Sequence, residues 1–226
     1  VALDAQQHFI ADAAHQLRTP LAGLKTQINL ALSQGDPEQI QLALRQLNAS
    51  SERTIRLVNQ MLALARMEPG AAKIEALEPL DLNRLARAAT MEWVPLAFKK
   101  GIDLGFEGED ETVTILGDAL SLKMLLDNLL DNAIRYTLPG GQVTVRVAAA
   151  AGTVLSVEDN GPGIPVAERG RVFERFYRGR HGEDGSGLGL AIVHEIAQLH
   201  EARVALEESA DAKGVVVKIA FPATAC

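Results

Sequence analysis

Five groups of residues in this chain have types and spacings that could do chemistry: His15, the pair Asn128 and Asn132, Asp159, and the glycine-bearing turns at 161–163 and 185–189. His15 falls within FIADAAHQLRTPLAGL, where Ile10, Ala13, Leu17, Leu21, Leu24 and Ile28 recur at steps of three and four. Such steps mark the buried stripe of an amphipathic helix. His15 lies off that stripe, and a solvent-facing imidazole, largely neutral at neutral pH, can act as a nucleophile or accept a transferred group. The same position also reads as an ordinary histidine on a helix surface.

The second half carries four boxes. In NLLDNAIRY, Asn128 and Asn132 are four apart and share a helix face, while Leu125, Leu129 and Ala133 can point inward. Amide oxygens can hold a hard cation that keeps most of its waters and bridges phosphates, although two amides on one face also suit a solvated helix side. Arg135, one turn on, could meet a phosphate, and Tyr136 offers a ring for a purine. In EDNGPGIP the glycines let backbone approach a ligand closely, and Asp159, at a strand end, can accept a hydrogen bond from an exocyclic amine, which makes it the adenine reader. Read alone, this box would pass for a turn. The third box is VFERFYR, 172–178, and the fourth GSGLGL, 185–190, opens a helix. A glycine-rich loop feeding a helix N-terminus offers free N–H groups and the positive dipole end to an anion. Residues 178–184, polar and without regular pattern, suit a lid.

The elements that must position these residues fall into two textures. Residues 5–66 read as two long helices broken at Gly35-Asp36-Pro37, the second with a stripe of Ile40, Leu44, Leu47, Ser51, Ile55, Val58, Leu62 and Ala65. Two helices cannot cover two such stripes, so a second copy completing a four-helix bundle is expected; the alternative is packing on the rest of the same chain. Pro20 removes a mid-helix N–H, so a bend is expected below His15. A short linker at 67–74 contains Pro69 and Gly70. From there strands near 75–80, 102–106, 112–116, 142–149, 153–158, 203–207 and 214–221 interleave with helices at 81–98, 118–136 and 188–200. Hairpin-like strand pairs with helices on one face predict a two-layer α/β sandwich.

Composition bounds the function. The 226 residues are 47% hydrophobic, enough for a real core, and a formal charge of −7 argues against a nucleic-acid surface. No apolar run approaches the ~20 residues of a bilayer crossing and no signal peptide opens the chain, so it reads as soluble. Residues 1–7 enter a helical pattern without a cap, as in a piece of a longer protein. The single cysteine, Cys226, excludes an intrachain disulfide and fits a reducing compartment. Zinc chemistry has no Cys or His cluster to stand on.

The string HQLRTPLA closely resembles the phosphoacceptor box of bacterial sensor histidine kinases of two-component systems, and the four boxes resemble that family's N, first glycine, phenylalanine and second glycine boxes, in order, from about Phe9 to Phe221. The resemblance implies an α+β chain. A helical hairpin in residues 1–66 forms a dimeric four-helix dimerisation and phosphotransfer bundle. After the 67–74 linker, residues 75–226 form a two-layer α/β sandwich of the ATPase superfamily shared with DNA gyrase, Hsp90 and MutL. It also implies ATP and Mg²⁺ as cofactors, the cation held through Asn132 with help from Asn128. Adenine would contact Asp159, a lid would run from about Ile164 to Leu188, and Gly161, Gly163, Gly185, Gly187 and Gly189 would lie at the nucleotide. The implied reaction is autophosphorylation of His15, flanked by Arg18, then transfer to an aspartate on a response regulator receiver domain, with Arg135 and Arg175 or Arg178 neutralising phosphate charge. The implied setting is a homodimer in the cytoplasmic portion of an inner-membrane receptor, attached to the membrane only through a missing N-terminal region, with no nucleic-acid partner.

Two positions depart from the expected chemistry or refine it. Where most of the family has a carboxylate after the phosphoacceptor, this chain has Gln16, which can orient the ring but cannot carry a proton away. Where hydrolytic members of the superfamily place a water-activating glutamate, this chain has Asn128, so bound ATP should wait for the histidine. Thr19 matches the position of the family's phosphatase residue. The alternative functions are a nucleotide-binding module without kinase output, either pseudokinase or phosphatase-biased, and a gyrase-type ATPase.

Overall fold

The computed structural model describes residues 2–33, 35–67, 77–149, 152–179, 186–209 and 214–222, the side chains of 2–16, Thr19, Arg53, Ala63 and 65–67 excepted. The chain divides into two compact units, one helical and one α/β.

The helical unit is α1 (Ala2–Ser33) packed on α2 (Pro37–Met67). The break between them follows from local chemistry. Asp36 Oδ1 accepts the Glu38 N–H at 3.1 Å, and Pro37, whose missing N–H costs nothing at a first helical position, starts α2. The helix α1 continues through Pro20. Ala43, Ser50, Leu57, Met61 and Leu64, at steps of seven, seven, four and three, form one side of α2 and are buried. The stripe read from the sequence is a different one. Leu44, Ile55, Val58 and Leu62, with Leu21 and Ile28 of α1, remain exposed on the single chain. This is the behaviour of a stripe that the two helices cannot cover by themselves: α2 has two apolar sides, and the buried one carries the small residues Ala43 and Ser50 that let helices approach.

The α/β unit contains β1 (Glu78–Asp81), α3 (Leu82–Lys100), β2 (Asp103–Glu107), β3 (Thr114–Gly117), α4 (Ala119–Tyr136), β4 (Gln142–Ala148), β5 (Val154–Asp159), α5 (Gly189–Leu199), β6 (Arg203–Glu208) and β7 (Val215–Ala220). The main sheet has the order β2-β4-β5-β7-β6, with β2 parallel to β4 and every other pair antiparallel. Only β4–β5 and β6–β7 are sequential pairs. The strands β2 and β3, adjacent in sequence, go to different sheets: β3 pairs antiparallel with β1 in a separate two-stranded sheet. The hairpin expectation therefore fails at β2, because the tight turn after α3 delivers it alongside β4 instead.

Alternation on the central strands sorts residues between two faces. Val143, Val145 and Val147 of β4, Leu155 and Val157 of β5, and Val215, Val217 and Ile219 of β7 are buried. Leu122, Leu125, Leu126, Leu129 and Leu130 of α4 and Ile192, Val193 and Ile196 of α5 are buried too. The opposite sheet face carries Arg146, which pairs with both Glu107 and Glu158. Asp81 caps α3 by accepting from the Arg84 N–H at 3.2 Å, Asp118 caps α4 by accepting from the Ser121 N–H at 2.8 Å, and Gly101, at φ 70°, ends α3 in the left-handed conformation. The buried His200 joins two helix ends. Its Nε2 accepts the Asp118 N–H at 3.0 Å, so Nδ1 carries the proton and donates to the Ile196 carbonyl at 2.8 Å.

Candidate functional site

Asn128 and Asn132 meet the start of α5. The buried Asn128 donates through Nδ2 to the Met124 carbonyl at 2.8 Å, and its Oδ1 lies beside Gly189. A Cβ built on Gly189 would lie 3.2 Å from Asn132 Nδ2, 3.4 Å from Asn128 Oδ1 and 3.5 Å from Asn132 Oδ1. The two side-chain amides thus meet where α5 begins, and a side chain at Gly189 would press on them. This donor set fits a hard cation that prefers oxygen and keeps its own waters. The N-cap of α5, Leu188, makes no side-chain capping bond, so the helix's first N–H groups have no side-chain partner from that residue. The Leu188 side chain is fully buried, so it can offer a ligand only its backbone.

Asp159 sits on the inward face, in register between Val143 of β4 and Val215 of β7. Its burial among apolar neighbours pushes the carboxyl up to about 6, against the pull of hydrogen bonds from the Gly161 and Val215 N–H groups, with Glu158 adding to the rise. The Gly161 N–H donates to Asp159 Oδ1 at 2.9 Å. A Cβ at Gly161 would lie 3.0 Å from that oxygen and 3.1 Å from the Tyr136 carbonyl oxygen, so the turn after β5 packs on the end of α4. Gly163, at φ 71°, passes close to Gly214, where a Cβ would fall 1.8 Å from the Asp159 carbonyl oxygen. Sequence reasoning did not single out Gly214, and its signal was a glycine immediately before a run of valines.

The segment after this turn is held to α5. Ile164, half-buried, accepts from Arg169 Nε at 3.1 Å. The Phe173 ring lies tilted against that of His194 with centroids 5.5 Å apart, and Arg175 pairs with Glu195 at 3.1 Å. Phe176 adopts φ 64°, a conformation rare for an aromatic residue, and its N–H donates to the Gly187 carbonyl at 2.8 Å. Gly187 is itself left-handed at φ 69°, and a Cβ there would lie 2.6 Å from the Phe176 carbonyl carbon. Arg135, read as a phosphate contact, pairs one turn back with Asp131, and Arg178 is exposed. Of the lid, residues 180–185, Gly185 among them, lie outside the described residues, as do residues 68–74 of the expected linker.

Two further residues brace the site and were not foreseen. Asn160 Oδ1 accepts the Gln142 N–H at 2.8 Å, tying the turn to β4. Lys100, at the end of α3, donates to the carbonyls of Ile134 at 2.6 Å, Arg135 at 2.5 Å and Thr137 at 3.0 Å. In the sequence Lys100 reads only as a basic residue in a last helical turn.

His15, Gln16 and Thr19 lie within α1, their side chains outside the described residues, and Arg18 is exposed. Among the described residues no helix is long and apolar enough to cross a membrane.

Comparison with known proteins matches residues 5–70 to the His Kinase A (phospho-acceptor) domain and residues 117–225 to the Histidine kinase-, DNA gyrase B-, and HSP90-like ATPase family. The Sensor protein kinase PmrB of Pseudomonas aeruginosa is 41% identical over 226 residues, covering 99% of this chain and 47% of that protein. The chain therefore spans about half the length of this curated relative. Among solved structures, the mycobacterial sensor histidine kinase MprB is 32% identical with a TM-score of 0.56, the match covering 65% of this chain and 97% of that one. Full-length ShkA in complex with AMPPNP is 30% identical with a TM-score of 0.67, covering 96% of this chain and 47% of that one.

Proposed function

This chain belongs to the sensor histidine kinases of bacterial two-component systems, and we propose that it is the part of such a receptor that phosphorylates His15 from ATP and passes the phosphoryl group to an aspartate of a response regulator. One observation carries the reading: the Asn128 and Asn132 side-chain amides meet at the start of α5, in the same unit as a buried, inward-facing Asp159. The similarity to ShkA, whose solved structure is a complex with AMPPNP, supports a nucleotide as the ligand.

In this proposal Asn132, helped by Asn128, holds Mg²⁺, which when bound neutralises phosphate charge. Asp159 accepts from the adenine amine, Tyr136 lies against the base, and Gly161, Gly163, Gly185, Gly187 and Gly189 give backbone close approach to the nucleotide. Arg135 and Arg175 reach phosphate only by sharing or leaving Asp131 and Glu195. Asn128 cannot act as a base toward water, so the site favours transfer over hydrolysis. Gln16 orients the His15 ring by a hydrogen bond, and the displaced proton leaves to solvent or another group. Thr19 would position water against the regulator's phospho-aspartate for the separate, phosphatase reaction, which releases inorganic phosphate. Residues 1–66 serve dimerisation and phosphotransfer, and residues 75–226 bind ATP. The exposed stripe of Leu21, Ile28, Leu44, Ile55, Val58 and Leu62 pairs with a second copy. Attachment to the inner membrane runs through a preceding region, leaving this part on the cytoplasmic side.

The test is incubation with γ-labelled ATP and Mg²⁺. Acid-labile, alkali-stable label on the protein is expected, and His15→Gln should abolish it while nucleotide binding, carried by the other unit, persists. Label at wild-type level on His15→Gln, or steady phosphate release without label, would overturn the reading.

A further inference from the structure

Lys100 gives its three N–H groups to three carbonyls at the end of α4, those of Ile134, Arg135 and Thr137. A helix leaves its last carbonyls without intrahelical donors, and a single ammonium here takes two of them and the next one in the chain. The carbonyl it skips, that of Tyr136, is the one against which Gly161 packs. The same corner continues through backbone. The Gly101 carbonyl accepts the Gly140 N–H at 2.7 Å, and the Gly141 carbonyl accepts the Asp103 N–H at 2.9 Å. The Gln142 carbonyl accepts the Asn160 N–H at 3.2 Å, while Asn160 Oδ1 takes the Gln142 N–H in return. A Cβ at Gly141 would lie 2.6 Å from Asn160 Oδ1, so no slack separates the turn after α4 from the turn after β5. Burial, and then the charge of Arg135, holds the Lys100 ammonium below the usual lysine range, as expected of a cation that has exchanged water for these carbonyls.

We propose that Lys100 is a positioning residue for the nucleotide: from α3, which supplies no other residue to the site, it fixes the end of α4, and with it Tyr136, at a set distance from the Asp159–Gly161 turn. This rests on the reading of that turn and Tyr136 as the base site. A cap that served helix stability alone would need neither three carbonyl partners nor a continuation into the Asn160 turn. The residue acts on binding and not on the transfer step, because everything it braces lies around the base.

The experiment uses the full chain with Lys100→Met, Lys100→Arg and the exposed control Lys99→Met. For Lys100→Met the expected result is an Mg·ATP dissociation constant raised by about 10-fold, with labelling of His15 at saturating ATP within about twofold of wild type. Amide exchange, measured without nucleotide, should accelerate at Gly140, Gly141, Asn160 and Gly161 more than at Ile192 and Ile196 of α5. Lys100→Arg keeps the charge, but a planar fork cannot address three diverging carbonyls, so affinity should fall about threefold while the fold persists. That variant decides the matter if Lys100→Met does not fold. Wild-type ATP affinity in Lys100→Arg and in any folded Lys100→Met, or exchange that rises evenly over the unit, would overturn the proposal. Wild-type protein that binds no Mg·ATP would instead overturn the functional reading, while local loss of protection would still report the hold of Lys100 on the turn.

Discussion

Asp159, proposed to contact adenine, would serve that role against stability. Strand β5 alternates Leu155, Val157, Asp159 on its inward face, so a carboxyl occupies a place that the fold alone would give to valine. Its value of about 6 against the ordinary 3.8 means that the folded protein holds the proton more tightly than the unfolded chain. The contribution of this group is therefore most favourable below about pH 4 and is lost as pH rises through about 6. Asp159→Asn removes the buried charge but keeps an oxygen for the Gly161 N–H. At pH 7.5 it should be more stable than wild type by on the order of 1–3 kcal/mol, the gain vanishing below pH 4. The same variant should lose its preference for ATP over GTP, because a carboxylate accepts from the adenine amine and an amide can also donate to the guanine carbonyl. Urea unfolding at several pH values and paired nucleotide titrations check both halves. Equal stability at every pH would mean that burial does not set the state of this carboxyl.

At the scale of elements, the second glycine box, proposed to lie at the nucleotide, is also a joint. Gly187 and Phe176 are both left-handed and joined by a hydrogen bond, so the segment carrying Phe173 and Arg175 is anchored to the start of α5. Gly187→Ala would force a Cβ against the Phe176 backbone at a positive φ, and should cost on the order of 2 kcal/mol with a fall in ATP affinity. Gly170→Ala, with open space before it and no positive φ, should change neither. Calorimetry and ATP titration of the pair test the joint, and equal behaviour of the two would dissolve it. Helix and strand positions here were legible because caps such as Asp81 and Asp118, the Gly101 stop and the alternation of β4, β5 and β7 are local signals. The pairing of β2 with β4 was not legible, since a five-residue strand containing Gly105 has no pattern that chooses its neighbour. Asn128, Asn132 and Asp159 could be picked out because their residue types and spacing suggest chemistry. The reach of Lys100 across to α4 could not be, because a basic residue in a last helical turn is what solvent and the helix dipole alone would select.

At the scale of the whole molecule, α2 separates two tasks between its two sides. Ala43, Ser50, Leu57, Met61 and Leu64 are buried within the single chain, while Leu44, Ile55 and Leu62 are 55%, 57% and 53% exposed. Half-exposed side chains of this size gain roughly 1 kcal/mol each when covered, and a twofold axis counts every one of them twice. With Leu21, Ile28 and Val58 included, the sum reaches about 12 kcal/mol, comparable with the entropy lost when two chains associate, so the proposed dimer depends on most of this stripe. Two charges at its centre should undo it. Ile55→Glu with Leu62→Glu is expected to convert a dimer into a monomer by sedimentation, at concentrations where wild type shows no monomer. Mg·ATP affinity should stay at the wild-type value, because Asn128, Asn132 and Asp159, proposed for the cation and the base, lie in the α/β unit. A double variant that sediments as a dimer would move the interface to another surface. One that loses ATP binding along with dimerisation would mean that the nucleotide site depends on the paired bundle, against the division of labour proposed for the two units.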